Sequence, residues 1–138
     1  MAVDLEALGL AVKQAQYRNH RAAEQALKDQ IGVTLVQWDA LRAIDRLPHT
    51  SGHDLAVATF QSDQAFGTLA NRLVSRGLIA RTAGRGRRLE HSLTDTGRAS
   101  LEAGKRITRD VLADQFSRLD DTQQQELGDL LATLLAGE

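Results

Sequence analysis

The stretch from Thr59 to Gly97 most constrains what this chain can fold into. Phe66, Leu69, Ala70, Leu73 and Val74 recur at three- and four-residue spacing, which puts them on one apolar face of a helix over 62–76. Ser62 offers an N-cap hydroxyl to the free N–H groups of the first turn. Gly77 stops the helix, because glycine tolerates the left-handed C′ position. Leu78-Ile79-Ala80-Arg81 then reads as a short strand. Thr82 to Arg88 is a turn with two glycines and three arginines, and Leu89 to Leu93 a return strand. The pattern is that of a recognition helix followed by a two-stranded β-wing.

Gln64, Gly67, Thr68, Asn71 and Ser75 fall on the face opposite the apolar one, with Arg72 at its edge. A polar helix face beside a flexible arginine tip suits duplex DNA: the helix for the major groove, the tip for backbone or minor groove. The DNA-binding candidates are therefore Ser62, Gln64, Thr68, Asn71, Arg72 and Arg76 from the helix, and Arg85, Arg87 and Arg88 from the tip. The net charge of −1 argues against this only until it is resolved along the chain. Residues 72–98 hold seven arginines against Glu90 and Asp95, a local +5. Local patches rather than overall charge set phosphate attraction. Arginine without lysine also suits phosphate and groove contacts, through the guanidinium fork.

The rest of the chain reads as helices. Residues 4–29 form a long one, striped by Leu5, Leu8, Val12 and Ala15 and continued by Ala22, Ala23, Ala26 and Leu27, until Gly32 breaks it. Thr34 caps a second helix, 34–46, with Leu35, Trp38, Leu41 and Ile44 inward; Pro48 ends it. Ser51-Gly52-His53-Asp54 resembles a capping box and opens a short helix, 51–58. Two short helices joined by a tight turn, then a hairpin, make a winged helix-turn-helix. Thr94 caps a helix reaching about Arg118, with Leu101, Ile107, Val111, Leu112, Phe116 and Leu119 on its apolar side. Asp120 and Gln123 cap a last helix, 121–136, carrying Leu127, Leu130, Leu131, Leu134 and Leu135.

The expected fold is thus mainly α: one domain over 1–138, with a winged lobe at 34–97 and long helices at 4–29 and 98–136. Those terminal helices each carry an apolar stripe outside the winged unit. They are a natural dimerisation device, and two-fold symmetry doubles the contact with a half-site. No apolar run approaches a membrane span and no signal-peptide pattern opens the chain, so the cytoplasm is the expected compartment. Cysteine is absent, which excludes disulfides and thiolate metal sites within this sequence.

Three short runs resemble one family. Val36-Gln37-Trp38-Asp39-Ala40-Leu41-Arg42-Ala43-Ile44, Arg76-Gly77-Leu78-Ile79-Ala80-Arg81 and Leu93-Thr94-Asp95-Thr96-Gly97-Arg98 look like marks of MarR-type (multiple antibiotic resistance regulator) transcription factors. In order and spacing they cover about residues 5–136. The resemblance implies a homodimeric regulator of pseudo-palindromic duplex DNA, usually a repressor released by a small ligand. The chain departs from the family at the wing. An Asp-x-Arg turn is common there, and the tip here, Ala83-Gly84-Arg85-Gly86-Arg87-Arg88, has no Asp. Arg85 and Arg87 are the candidates for the groove. In similar regulators the effector crevice lies between the dimer helices and the DNA-binding lobe, which singles out Tyr17, His20, Arg21, Trp38 and Arg42. The plainer reading makes Trp38 a core anchor and the arginines solvated.

Other chemistry is thinly represented. No two of the four histidines share an i, i+4 spacing on one helix, since His49 lies before the helix that holds His53, and no nucleophile elbow, Walker loop or HExxH occurs, so neither metal, cofactor nor catalysis is expected. Ser51, His53 and Asp54 fall within one helical turn, where side chains fan out and cannot form a relay. The remaining alternative is a winged-helix protein–protein module that does not bind DNA.

Overall fold

The computed structural model describes residues 2–86 and 88–137. Each helix starts where a side chain can satisfy its free N–H groups. Asp4 accepts from the Ala7 amide (3.1 Å) to open α1, Leu5–Ile31, which ends at Gly32 with φ 65°. Thr34 and Gln37 make a complete, reciprocal capping box for α2, Leu35–Arg46. Ser51 opens α3, Gly52–Ala58, but only half of the expected box forms: Ser51 Oγ accepts the Asp54 amide, while the Asp54 carboxylate lies 3.5 Å from Arg88. An aspartate is one methylene shorter than the glutamate of a full box and is drawn to the guanidinium instead. Ser62 caps α4, Asp63–Ser75; Thr94 caps α5, Asp95–Phe116; Asp120 and Gln123 form a second complete box before α6, Asp121–Leu135.

The sheet has three strands, one more than the sequence predicts. β1 (Thr50–Ser51), β2 (Ile79–Ala83) and β3 (Leu89–Leu93) lie in the order β1-β3-β2, all antiparallel. Thr50 pairs with His91 and Ser51 with Glu90. Two residues are too few to show an alternating pattern, so β1 has no periodic signature. β2 runs two residues beyond the expected strand, because Ala83 pairs with Leu89 and closes the ladder at the tip.

One core joins all of this. Trp38, Leu41 and Ile44 of α2, Leu55 of α3, Phe66 and Leu73 of α4 and Ile79 of β2 are buried together with Leu27 of α1 and Leu101 and Ile107 of α5. The inner ends of the terminal helices therefore belong to the lobe's core. Val74 does not share α4's apolar face; it is 40% exposed, beyond the arc filled by residues 66, 69, 70 and 73. α5 is pinned at two points. Thr94 Oγ1 donates to the Gly77 carbonyl (2.6 Å), tying α5 to the end of α4. Higher up, Trp38 Nε1 donates to the Leu101 carbonyl (3.2 Å), and Gly104 lies against the indole so closely that a Cβ would run into the ring.

The outer ends are uncovered. Leu5 is 75% exposed on α1 and Leu134 72% exposed on α6, with Leu8, Val12, Leu130 and Leu135 also open to solvent, and α6 buries no residue.

The Trp38–Gly104 contact predicts that Gly104→Ala lowers stability by about 1–3 kcal/mol, although alanine is the better helix former by about 1 kcal/mol. Urea unfolding followed by circular dichroism would report this as a lower midpoint at unchanged slope.

Candidate nucleic-acid interface

Helix α4 presents its polar side outward because its apolar side is fixed by the fully buried Phe66 and Leu73. Gln64, Thr68, Asn71 and Arg72 are exposed along that side, and Gly67 is partly so. Ser62 Oγ is engaged as the cap, accepting the Ala65 amide at 3.0 Å. Thr68 Oγ1 donates to the Gln64 carbonyl of its own helix (3.1 Å), which commits its one hydroxyl proton and leaves its lone pairs to accept.

The wing tip is a turn between Ala83 and Leu89. The Gly84 amide donates to the Arg88 carbonyl (2.8 Å) and Gly86 takes a left-handed φ of 66°. A Cβ at position 84 would meet the Glu90 side chain at 2.8 Å, so glycine there lets that side chain lie against the turn. Arg85 and Arg88 are exposed beside it. The third tip candidate, Arg87, lies outside the described residues.

Arg76 does not join the polar face. It is the C-cap residue of α4, and its Nη1 donates to Gln37 Oε1 at 2.9 Å, with Gln37 itself buried in the capping box of α2. That bond fastens the end of α4 to the start of α2, while the residue itself stays exposed. The cap and the arginine are each visible in the sequence, 39 positions apart, and no spacing rule connects them.

Between α4 and the wing lies a crevice of about 460 Å³, lined among others by His53 of α3, Asp63, Gly67 and Asn71 of α4, and Arg81, Arg88 and His91 of the wing. His53, Asp63, Arg81 and His91 carry no signal in the sequence that marks them for this surface. His53 Nδ1 donates to Asp63 Oδ1 at 2.9 Å, so the first residues of α3 and α4 are linked. That hydrogen bond, with the Asp63 charge behind it, raises the His53 pKa. His91 is buried against the edge of the Phe66 ring, and its Nδ1 donates to the Thr50 carbonyl (2.9 Å).

The five pocket candidates divide between two places. His20, Trp38 and Arg42 line a crevice of about 350 Å³ bounded by α1, α2 and α5. Tyr17 and Arg21 face a neighbouring side of α1, where the Arg21 guanidinium lies 5.8 Å from the Tyr17 ring centre. Trp38 is 4% exposed and anchors the core, with Arg42 lying over its ring at 5.0 Å. Asp39, which also lines the crevice, has its pKa raised by burial, against the opposing pull of Arg42 and His20.

Comparison with known proteins places this architecture. A sequence profile of the MarR family matches residues 31–89. The HTH-type transcriptional repressor Rv2887 of Mycobacterium tuberculosis is 32% identical over 106 residues, 75% of this chain and 76% of the repressor. The chain belongs to the MarR family. Among solved structures, a probable transcriptional regulator from Pseudomonas aeruginosa superposes with a TM-score of 0.81 at 32% identity, covering 92% of this chain and 96% of that one. Rv2887 in complex with DNA gives 0.80 at 26% identity, over 94% and 98% of the two chains. The same repressor in complex with p-aminosalicylic acid gives 0.76 at 28% identity, over 92% and 97%. As in that family, the fold is a mainly helical winged helix, and among the described residues no helix is long and apolar enough to cross a membrane.

Within this MarR-family lobe, His91 makes stability depend on pH. Burial holds its pKa below the ordinary 6.5, with the Thr50 carbonyl pulling the other way and Arg81 adding to the depression. Above about pH 7.5, a unit over the unfolded value, the ring is neutral folded or unfolded, and the full stability is present. Below it the unfolded chain takes up a proton that the folded chain resists, so stability falls until the folded pKa is passed. Melting temperature should therefore drop between about pH 7.5 and 5.5, and drop less in His91→Gln. The His53–Asp63 pair acts in the opposite sense, since a raised pKa favours the folded state at the acid end.

Proposed function

We propose that this chain is a cytoplasmic, homodimeric repressor that reads double-stranded DNA through α4 and is released by a small ligand. The observation that carries the reading is the pairing of an outward polar face on α4, Gln64, Thr68, Asn71 and Arg72, with an arginine tip at the wing. Amides suit the donor–acceptor pattern of adenine in the major groove, and arginine suits guanine and phosphate. The Rv2887 complex with DNA supports the same use of the fold. The regulators to which the chain is similar support a role in binding rather than in catalysis.

In this reading residues 34–97 form the DNA lobe, and 4–29 with 98–136 the dimerisation helices. The uncovered leucines of α1 and α6 support the second part. Burying each contributes about 1.5–3 kcal/mol, and a stripe of this size is rarely left wet. A dimer holds two recognition helices at a fixed separation, which a pseudo-palindromic operator must match. The crevice at His20, Trp38 and Arg42 supports ligand control, because it lies where α1 and α5, the proposed dimerisation helices, meet α2 of the lobe. A ligand that fits only dimers with mis-spaced helices lowers DNA affinity by its difference in affinity for the two states.

Base reading by α4 is tested by Asn71→Ala on a duplex enriched from a random library by the wild-type dimer. It should cost about 1–3 kcal/mol at the contacted base pair and relax preference there, with binding to unrelated DNA little changed. Equal weakening on every sequence would move Asn71 to the backbone contacts. Arg85→Ala, by contrast, should weaken all sequences alike and make the salt slope shallower by about 0.9 for each phosphate left without its cation.

A further inference from the structure

The turn of the wing, residues 83–88, contains no carboxylate, yet one reaches its last residue from another element. Asp54, in the first turn of α3, places Oδ2 3.5 Å from Arg88 Nη2. The residue before it, His53, reaches the other way and binds Asp63 at the first position of α4. The first turn of α3 thus touches both parts of the DNA-facing surface, recognition helix and wing, across the crevice that separates them. The base of the wing is tied to α4 by the chain itself, through Gly77 and the Leu78 amide bonded to the Leu73 carbonyl (2.9 Å). The far end of the wing is free of that tether, and Arg88 sits at that end.

We propose that Asp54 is a positioning residue for DNA binding: it holds the Arg88 guanidinium against α3 so that wing and recognition helix meet the duplex at one spacing. The inference rests on the DNA-binding reading above. Arg88 is a long, rotamer-rich side chain, and fixing it before contact lowers the ordering cost of binding. The pair is half exposed, so its contribution to the stability of the free protein is small. What it sets is the position of a cation.

This role has a sign that simple electrostatics does not share. Removing a carboxylate from a surface that meets a polyanion should strengthen binding if charge alone matters. If Asp54 positions Arg88, its removal should weaken binding. The measurement is fluorescence anisotropy of the full-length protein with the library-enriched duplex, for wild type, Asp54→Asn, Asp54→Glu, Arg88→Ala and Asp54→Asn with Arg88→Ala. The expected results are about fivefold weaker binding for Asp54→Asn, summed over two half-sites, and recovery in Asp54→Glu. Once Arg88 is alanine, Asp54→Asn should cause no further loss. Circular dichroism and melting temperature of Asp54→Asn should match wild type, since the Asp54 amide and not its carboxylate meets the Ser51 cap. Binding by Asp54→Asn that equals or exceeds wild type overturns the proposal, as does a loss of the same size in the Arg88→Ala background. Both results leave the DNA-binding reading standing. A wild-type protein that enriches no sequence at all overturns the two together.

Discussion

The seam between α2 and α5 is the constraint on which the rest depends. Trp38 is the chain's single tryptophan, and it fills the space that Gly104 leaves open. Its indole N–H is satisfied by the Leu101 carbonyl, so a large amphipathic ring can be buried without an unpaired donor. That contact fixes α5 against the lobe. With Thr94 bound to Gly77 at the lower end, α5 cannot turn independently of α4. A displacement at the outer part of α5 would be passed through these two contacts toward α4. In the proposed reading, this seam is what would couple a crevice at α1, α2 and α5 to the spacing of two DNA-reading surfaces.

Charge is distributed to match. The chain as a whole is nearly neutral, while its arginines concentrate around the wing. Not all of them face a partner. Arg76 is bound to Gln37 and Arg98 to Asp45, each at 2.9 Å, so part of the local +5 stabilises the lobe. Arg72 at the helix edge and Arg85 and Arg88 at the tip stay exposed, while Arg81 lies half-buried in the crevice between α4 and the wing. The acids near the interface are also engaged, Asp63 by His53 and Asp54 by Arg88, which limits their repulsion of phosphate.

Most of the fold was legible because it is written in local signals. The bounds of α4 follow from Ser62, the apolar spacing and Gly77, and each helix begins at a side chain that caps it. The wing strands follow from two apolar runs around a glycine-rich turn. What local signals cannot supply is contact between distant positions. β1 is two residues long and exists only because β3 offers it a partner. Arg76 stands among the polar residues of α4, and only the packing of α2 beside it decides where its guanidinium goes. Tyr17 and Arg21 are one helical turn apart and close to His20 in sequence, yet a rotation of about 100° per residue turns them to the next face of α1. The exposed leucines of α1 and α6 are readable as stripes, and their meaning comes from finding them uncovered in a chain whose core is otherwise complete.

The central claim is that two copies join through those stripes and present two lobes to one duplex. Sedimentation equilibrium of the protein with a short enriched duplex tests it most directly, using wild type and a variant with Leu130→Glu and Leu134→Glu. The account predicts two chains per duplex for wild type. For the variant it predicts a folded monomer, with helical circular dichroism retained, that no longer holds the duplex at micromolar concentration. A wild-type complex of one chain per duplex, or a charged variant that still binds as a dimer, would contradict it.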